Sequence, residues 1–373
     1  MKLLLFLTFG NSLTEWKKNK IYDREILPYL ELHKRKISTK IFSYGSQLED
    51  EKIKTDNIDL INISKNKIIT NKFILFIKTI FFIKKYSKKF NCDVIKTNQV
   101  WGAPFAVFLK FILKKPLVVR AGWEPYLQLS KYKKNYFKLT IFFLNSYFSY
   151  KYSNHIIVTS AHIKNFISLR FNINNSKITV INNYINNNLF KKKISHSNRY
   201  INKILFVGRL TKQKNIEELI HAISATKYEL DIIGEGEDRS KLIKLVKKHN
   251  LKVNFLGSVE NQILVDYYNR YKLFILPSFV EGNPKSLLEA MACGCAVICS
   301  NVDGNNSVIE HGINGYLADT NRSSIKKAIV KIMENEKLQL MLSNNSVKYV
   351  KEFCDLHKNL SSELKIYNNL LNE

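Results

Sequence analysis

Along this chain, short apolar runs alternate with longer segments whose apolar positions recur every three or four residues. This is the signature of strands buried on both faces and linked by amphipathic helices, the βαβ pattern of parallel sheets. In the first half, strands are predicted at Lys2–Leu7, Thr39–Ser43, Ile58–Ile61, Val94–Lys96, Pro116–Val119, Ile156–Thr159 and Lys177–Ile181. Helical periodicity fills the gaps, at Tyr22–Arg35, Asn71–Phe90, Trp101–Leu113 and Tyr132–Tyr152. The stretch 186–200 loses this periodicity. A fresh strand at Lys203–Val207 opens a second series, continued at Leu230–Ile233, Val253–Leu256, Leu273–Leu276 and Ala296–Cys299, and amphipathic helices fill about 325–371. The predicted fold is therefore α/β, with two doubly wound, Rossmann-like domains facing across a cleft. The boundaries are a first domain over 1–190, a linker over 191–200, a second domain over 201–355 and a C-terminal helix over 356–373 that packs back on the first domain. A length of 373 residues suits two such domains. Ligands of these sheets bind at the carboxyl ends of the strands.

The most informative stretch is Glu281-Gly282-Asn283-Pro284-Lys285-Ser286-Leu287-Leu288-Glu289, followed by Ala290-Met291-Ala292-Cys293-Gly294. Asn283 reads as an N-cap and Pro284 as the first helical residue, while Gly294 suits the left-handed position that ends a helix. The first carboxylate then lies in a loop and the second on the helix. Between them the helix start offers backbone N–H groups to an anion. Carboxylates that grip hydroxyls, beside a helix end that holds phosphate, point to a nucleotide-sugar. After the Lys203–Val207 strand comes Gly208-Arg209-Leu210, with Lys214 five residues beyond Arg209. Arg209 as a fork and Lys214 as a point charge suit a diphosphate, and Gly208 permits close backbone approach.

Charge divides the chain. Of the 59 Lys+Arg and 31 Asp+Glu, residues 1–197 hold 35 and 11, a net +24, which leaves 24 and 20, a net +4, for the remainder. Between Asp93 and Glu217 the lone acid is Glu124. Such a half attracts anions: lipid head groups, acidic glycans or nucleic acid. A Lys- and Asn-rich composition bias is the competing explanation, yet the second half does not share the excess. No nucleic-acid recognition motif accompanies the charge, so nucleic acid is excluded as a partner. The five cysteines form no CxxC pair, which suits reduced thiols in the cytoplasm. Met1–Phe9 lacks a cleavage site and reads as a strand, and no apolar run is long enough to span a bilayer. Phe73–Ile83 and Tyr132–Tyr152 carry many aromatics at helical spacing. Core packing is one reading, and a basic aromatic face lying on a membrane is the other.

With these residues in view, the segment from Lys203 to about Asp319 resembles the donor-binding domain of the family 4 glycosyltransferases, which have the GT-B fold. Also carrying the resemblance are Ile232-Ile233-Gly234-Glu235-Gly236, Phe255-Leu256-Gly257, Ser300-Asn301-Val302-Asp303-Gly304 and His311-Gly312-Ile313-Asn314-Gly315. The first half resembles the family only in general pattern. The resemblance implies that Arg209 and Lys214 neutralise the donor diphosphate, Glu281 contacts the donor sugar near the reacting carbon and Glu289 holds the ribose. It places backbone N–H groups around Pro284, Lys285 and Ser286 at the leaving phosphate, Gly282 and Asn283 among the donor-binding residues, and Gly257 and Ser258 beside the base. It also implies retention of anomeric configuration. No Asp-x-Asp motif and no metal-spaced cluster is present, so no metal and no cofactor is expected; the cations and the helix end supply the charge.

The first half departs from the family pattern. Many relatives have a Gly-Gly pair after the first strand, where this chain reads Thr8-Phe9-Gly10-Asn11-Ser12; Gly10 is still expected near the donor phosphate. Many relatives also carry a mid-domain His, but none occurs here between His33 and His155. The corresponding turns, Thr97-Asn98-Gln99-Val100-Trp101-Gly102 and Arg120-Ala121-Gly122-Trp123-Glu124-Pro125, supply the acceptor-side candidates Asn98, Gln99, Trp101, Trp123 and Glu124. Glu124 reads either as a proton acceptor in the cleft or as a partner of Arg120 that holds the loop. The expected function is transfer of a sugar, from a UDP-sugar by preference, to a glycan acceptor, lipid-linked and at the inner face of the cytoplasmic membrane, in capsule, O-antigen or other surface polysaccharide assembly. A sugar-nucleotide epimerase, a phosphorylase and a non-enzymatic nucleotide-sugar binder are the alternatives.

Overall fold

The structure, a computed structural model, describes every residue except Lys67, 131–135 and Glu373, with backbone alone for Gln128. The chain divides into two units, one of residues 1–181 with 359–373 and the other of residues 182–358. Each is built on one parallel sheet, because the strands are apolar on both faces and helices cover both.

In the first unit, β1 (Lys2–Phe6), β2 (Ser38–Ser46), β3 (Ile58–Ser64), β4 (Val94–Thr97), β5 (Leu117–Ala121), β6 (His155–Val158) and β7 (Ile178–Val180) form a sheet ordered β3-β2-β1-β4-β5-β6-β7. In the second, β8 (Tyr200–Val207), β9 (Glu229–Ile233), β10 (Val253–Phe255), β11 (Tyr271–Leu276), β12 (Ala296–Ser300) and β13 (Tyr316–Ala318) are ordered β10-β9-β8-β11-β12-β13. Every paired strand is parallel. In both sheets the order reverses beside the first strand, between β1 and β4 and between β8 and β11. There the connections leave in opposite directions and open a crevice at the carboxyl ends.

Several expected boundaries shift. The 71–90 periodicity resolves into a helix at Lys72–Tyr86 and a 3-10 turn at Ser87–Phe90, and the 132–152 helix runs over Tyr136–Tyr152, with 132–135 outside the described residues. The short strand β13 carried too little pattern to be predicted. The stretch expected as a linker is knitted into the second unit. Just before it Ile185 and Phe190 lie in that unit's core, and Asn269 reaches into it, accepting from the Lys193 amide at 2.7 Å and donating to the Lys191 carbonyl at 3.1 Å. Arg199 is buried and spreads its guanidinium over the carbonyls of Tyr271, Cys293 and Gly294 at 3.0, 2.6 and 3.0 Å. These three bonds satisfy helix-end carbonyls that a neutral residue would leave orphaned.

The C-terminal helix, Leu356–Asn372, gives the first unit its main buried ion cluster. Glu363 accepts from Lys96 at 2.5 Å, from Arg120 at 3.0 Å and from Tyr367 at 2.8 Å. Burial pushes the Glu363 carboxyl up, but Lys96 and Arg120 facing one carboxylate hold it below the ordinary range.

Candidate functional site

The reversal between β8 and β11 brings together the loops that carry the second unit's charged candidates. The loops after β8, β9 and β10 are laced by backbone hydrogen bonds: Gly208 donates to Ile233, Leu210 to Glu235, and Gly234 to Gly257. Glycine is required at two of these crossings. A Cβ on Gly234 would lie 1.9 Å from the Gly208 carbonyl oxygen, at a φ of +142°, and one on Gly236 would lie 2.3 Å from that of Leu210. Substitution at either position forces the backbones apart.

The 208–215 loop is also fastened to the loop after β11. Gln213 donates through Nε2 to the Val280 carbonyl at 2.8 Å and accepts from the Phe279 amide at 2.9 Å. Buried Asn215, in the left-handed conformation, donates to the carbonyls of Pro277 and Thr320 at 3.1 and 2.7 Å. Between these fastenings Lys214 Nζ meets Glu281 Oε1 at 2.5 Å, with both side chains largely buried. The structure thus joins two residues 67 positions apart that the sequence singled out separately. Gly304 seats Glu281 from below, since a Cβ there would fall 2.1 Å from the Glu281 carbonyl oxygen. Arg209 is exposed, and its side chain makes no hydrogen bond or ion pair among the described residues.

The helix after Glu281 starts later than its sequence suggests. It spans Lys285–Ala292 with Pro284, not Asn283, at the N-cap. Asn283 is engaged elsewhere: its Oδ1 accepts from the Asn183 amide at 3.3 Å and its carbonyl from Asn183 Nδ2 at 2.6 Å. Pro284 makes no side-chain cap bond, and the positive end of the helix dipole points to the loop after β11. Gly282, Asn283 and Pro284 are buried and Lys285 and Ser286 half-buried, with Lys285 Nζ lying 4.6 Å from the Tyr184 ring centroid. Gly294 ends the helix at a φ of +76°, as expected. Glu289 is buried on the second turn, accepting from Asn261 Nδ2 and from the Tyr268 hydroxyl, each at 3.1 Å. Gly257 (φ +72°) and exposed Ser258 lie at the end of β10. Asn183, Gln213 and Asn215 carry no local signal that marks them as supports, and the motif that holds Gly304 does not point to this role; only the fold gives it to them.

In the first unit the reversal brings the loops after β1 and β4 together: Asn98 donates its amide to Phe6, and Phe9 to Trp101. Gly10 is exposed, at a φ of +84° with open space around a built Cβ. Gln99 lies against Gly122, whose Cβ would meet Gln99 Nε2 at 3.3 Å, so the turns after β4 and β5 adjoin. The Gln99 Oε1 atom is buried with no hydrogen-bond partner among the described residues. Trp123 is exposed, while Trp101 is half-buried against Phe142 at 4.7 Å.

Glu124 is fully buried, and neither sequence reading describes it. Oε1 accepts from the Tyr126 amide at 3.0 Å and from Ser146 Oγ at 2.8 Å, and Oε2 accepts from the Tyr150 hydroxyl. Burial raises its carboxyl to about 7, against the lowering effect of these three donors. Arg120, its expected ion-pair partner, reaches Glu363. The carboxylate joins the Pro125–Ser130 turn to the Tyr136–Tyr152 helix inside the unit, rather than being presented to a ligand.

Residues 187–349 match the glycosyl transferases group 1 family and residues 30–189 match glycosyltransferase family 4. The chain is 28% identical over 323 residues to an uncharacterized glycosyltransferase of Methanocaldococcus jannaschii, covering 79% of this chain and 81% of that protein. It is 25% identical over 299 residues to the N,N'-diacetylbacillosaminyl-diphospho-undecaprenol alpha-1,3-N-acetylgalactosaminyltransferase of Campylobacter jejuni, covering 74% and 77%. The crystal structure of Anabaena HepE in complex with UDP and glucose aligns at a TM-score of 0.79 and 16% identity, over 99% of this chain and 100% of that one.

Proposed function

We propose, for a chain that belongs to the group 1, family 4 glycosyltransferases and has the GT-B fold, that it moves a sugar from a UDP-sugar to a lipid-linked glycan acceptor. The observation that carries this reading is the Lys214–Glu281 pair at the β8/β11 reversal, beside an uncapped helix start. Departure of a nucleoside diphosphate builds negative charge on the leaving phosphate. Lys214, Arg209 and the amides of the first helical turn are positive groups placed on this side of the sheet to meet this charge. In this reading Glu281 aims Lys214 before donor binds and contacts the sugar's hydroxyls afterwards, while Glu289, steadied by Tyr268 and Asn261, holds the ribose. The same cations take the part a metal plays elsewhere, so the proposed transfer needs none. Retention of configuration is part of the proposal on the strength of the family pattern.

UDP is favoured because HepE, of the same fold, is described with UDP and glucose. The lipid-linked acceptor is favoured because the Campylobacter relative acts on a diphospho-undecaprenol sugar. The first unit is assigned the acceptor, through Asn98, Gln99, Trp101 and Trp123, and surface polysaccharide assembly at the inner membrane face is the proposed setting. The test is incubation with UDP-, GDP-, ADP- and CMP-sugars and a polyprenyl-diphospho-glycan, with and without EDTA. Transfer from the UDP-sugar, unaffected by EDTA and lost in Lys214→Ala, supports the reading. Free epimerisation, dependence on inorganic phosphate, or nucleotide binding without transfer or donor hydrolysis overturns it in favour of another enzyme of this fold or a binder.

A further inference from the structure

Half of the large apolar side chains left exposed, 14 of 28 among the described residues, lie on three helices of the first unit: Lys72–Tyr86, Ala103–Leu113 and Tyr136–Tyr152. These helices are 15, 11 and 17 residues long, 43 of 373, so the exposure is concentrated rather than scattered. On the first, Leu75, Thr79 and Ile83 face the core while Phe73, Ile77 and Phe81 form the opposite stripe. On the third, Ser146, Ser149 and Tyr150 are buried while Phe137, Ile141, Leu144 and Phe148 recur outward at i, i+4, i+7 and i+11. Phe108, Phe111 and Ile112 continue the pattern on the middle helix. Ring contacts join the three into one face: Phe76 lies 5.1 Å from Phe105, and Phe111 lies 5.7 Å from Tyr152. Phe73, Phe81 and Phe137 are 74, 68 and 76% exposed, so they stand largely uncovered among the described residues.

The charge on this face has one sign. The three helices contain seven lysines and no aspartate or glutamate, and exposed Lys88, Lys89 and Lys114 follow their ends. A second copy of the same face would bring lysine against lysine and supply no counter-charge. A surface of phosphate head groups over hydrocarbon complements both features at once. No described helix is long and apolar enough to cross a membrane, so such a face lies on a bilayer rather than through it.

We infer that this three-helix face docks the protein on an anionic lipid bilayer, its aromatic stripes entering the interface and its lysines meeting the head groups. The lipid-linked acceptor reading gives this docking its purpose, and the inference rests on that reading for purpose alone; its evidence is the face itself.

The test is flotation of the full chain with phosphatidylcholine vesicles, with and without phosphatidylglycerol, at low and high salt. Binding to the anionic vesicles alone, weakened by salt, is expected. The triple variant Phe73→Ser, Phe81→Ser, Phe137→Ser lowers partitioning by at least roughly tenfold. The pair Lys84→Glu, Lys85→Glu lowers it by roughly tenfold or more and flattens the salt dependence. These positions are exposed, so the melting temperature, and any donor-induced shift of it, stay as in the native chain. That shift reads the second unit and separates failure of docking from failure of the donor reading. No flotation with anionic vesicles at low salt, or equal flotation of all variants, overturns the inference. A concentration-dependent dimer abolished by the serine variant, without lipid binding, reassigns the face to a second copy.

Discussion

In the second unit Glu281 meets a single flexible ammonium, Lys214, at a strand-end loop, with exposed Arg209 on the same loop. In the first unit Glu124 is enclosed by an amide and two hydroxyls, and Glu363 by two cations and a phenol. Both units follow one doubly wound plan, yet of these three buried carboxylates Glu281 alone has a partner that can exchange it for a ligand. Three fixed donors spend a carboxylate's acceptor capacity on the fold, whereas one long, rotatable lysine leaves that capacity recoverable. Partner number and kind therefore separate a structural acid from a candidate reactive one better than residue type does.

The tryptophans Trp16, Trp101 and Trp123 all lie in the first unit, so their emission reports that unit alone and allows the comparison to be broken one side at a time. The largest expected effect is Glu363→Ala, which leaves Lys96 and Arg120 buried without their counter-charge and costs the first unit about 3–5 kcal/mol in urea melts followed by tryptophan emission. Because the Glu363 carboxyl is held below its ordinary value, its stabilising contribution is present above the ordinary carboxylate range and disappears as pH falls through the lowered value. Unchanged melts would mean that the C-terminal helix does not clamp the unit. Next, Lys214→Ala lowers kcat by roughly 10²–10³-fold, about 3–4 kcal/mol of lost charge stabilisation, with tryptophan melts unmoved; native turnover in that variant would remove the site from the second unit.

Glu124→Gln sharpens the comparison through pH. With its carboxyl raised to about 7, folded Glu124 stays neutral while the unfolded chain ionises, so stability falls as pH rises from the ordinary value towards 7. Across that window the native chain should lose about 3 kcal/mol relative to Glu124→Gln, and a pH-independent gap would show that the carboxylate is already charged in the fold. The smallest effect is Asn183→Ala, which removes the hydrogen bond from Asn183 Nδ2 to the Asn283 carbonyl and costs the second unit about 1 kcal/mol, with donor affinity reduced and tryptophan emission silent. A calorimetric melt that leaves the second transition in place would show that this strut carries no stability.

Much of the architecture was legible in local pattern. Strands buried on both faces read as unbroken apolar runs, and Gly294 read as a left-handed helix end because its neighbours forced it. The wide apolar stripes of the Lys72–Tyr86 and Tyr136–Tyr152 helices are visible too, with core packing as the default reading and a surface face as the alternative; the structure leaves much of both stripes exposed. The helix cap was misread because Asn283 has a strong local preference for capping that a partner 100 positions away, Asn183, takes over. Glu124 stood out as a lone acid in a basic stretch, a property of composition, whereas its hydroxyl partners lie 22 and 26 residues further on, and no spacing rule links them.

The sequence by itself determined what depends on nearest neighbours along the chain: strand and helix periods, the split into two α/β series, the asymmetry of charge, and the motif that ties the chain to its family. Tertiary structure alone decided what depends on groups distant in sequence and adjacent in space. It paired Lys214 with Glu281, committed Glu363 to Lys96 and Arg120, enclosed Glu124, and turned the aromatic stripes of the Lys72–Tyr86 and Tyr136–Tyr152 helices outward. The reason is that burial and the choice of a polar partner are properties of a packed volume, and a one-dimensional pattern fixes which groups need partners without fixing which partners they find.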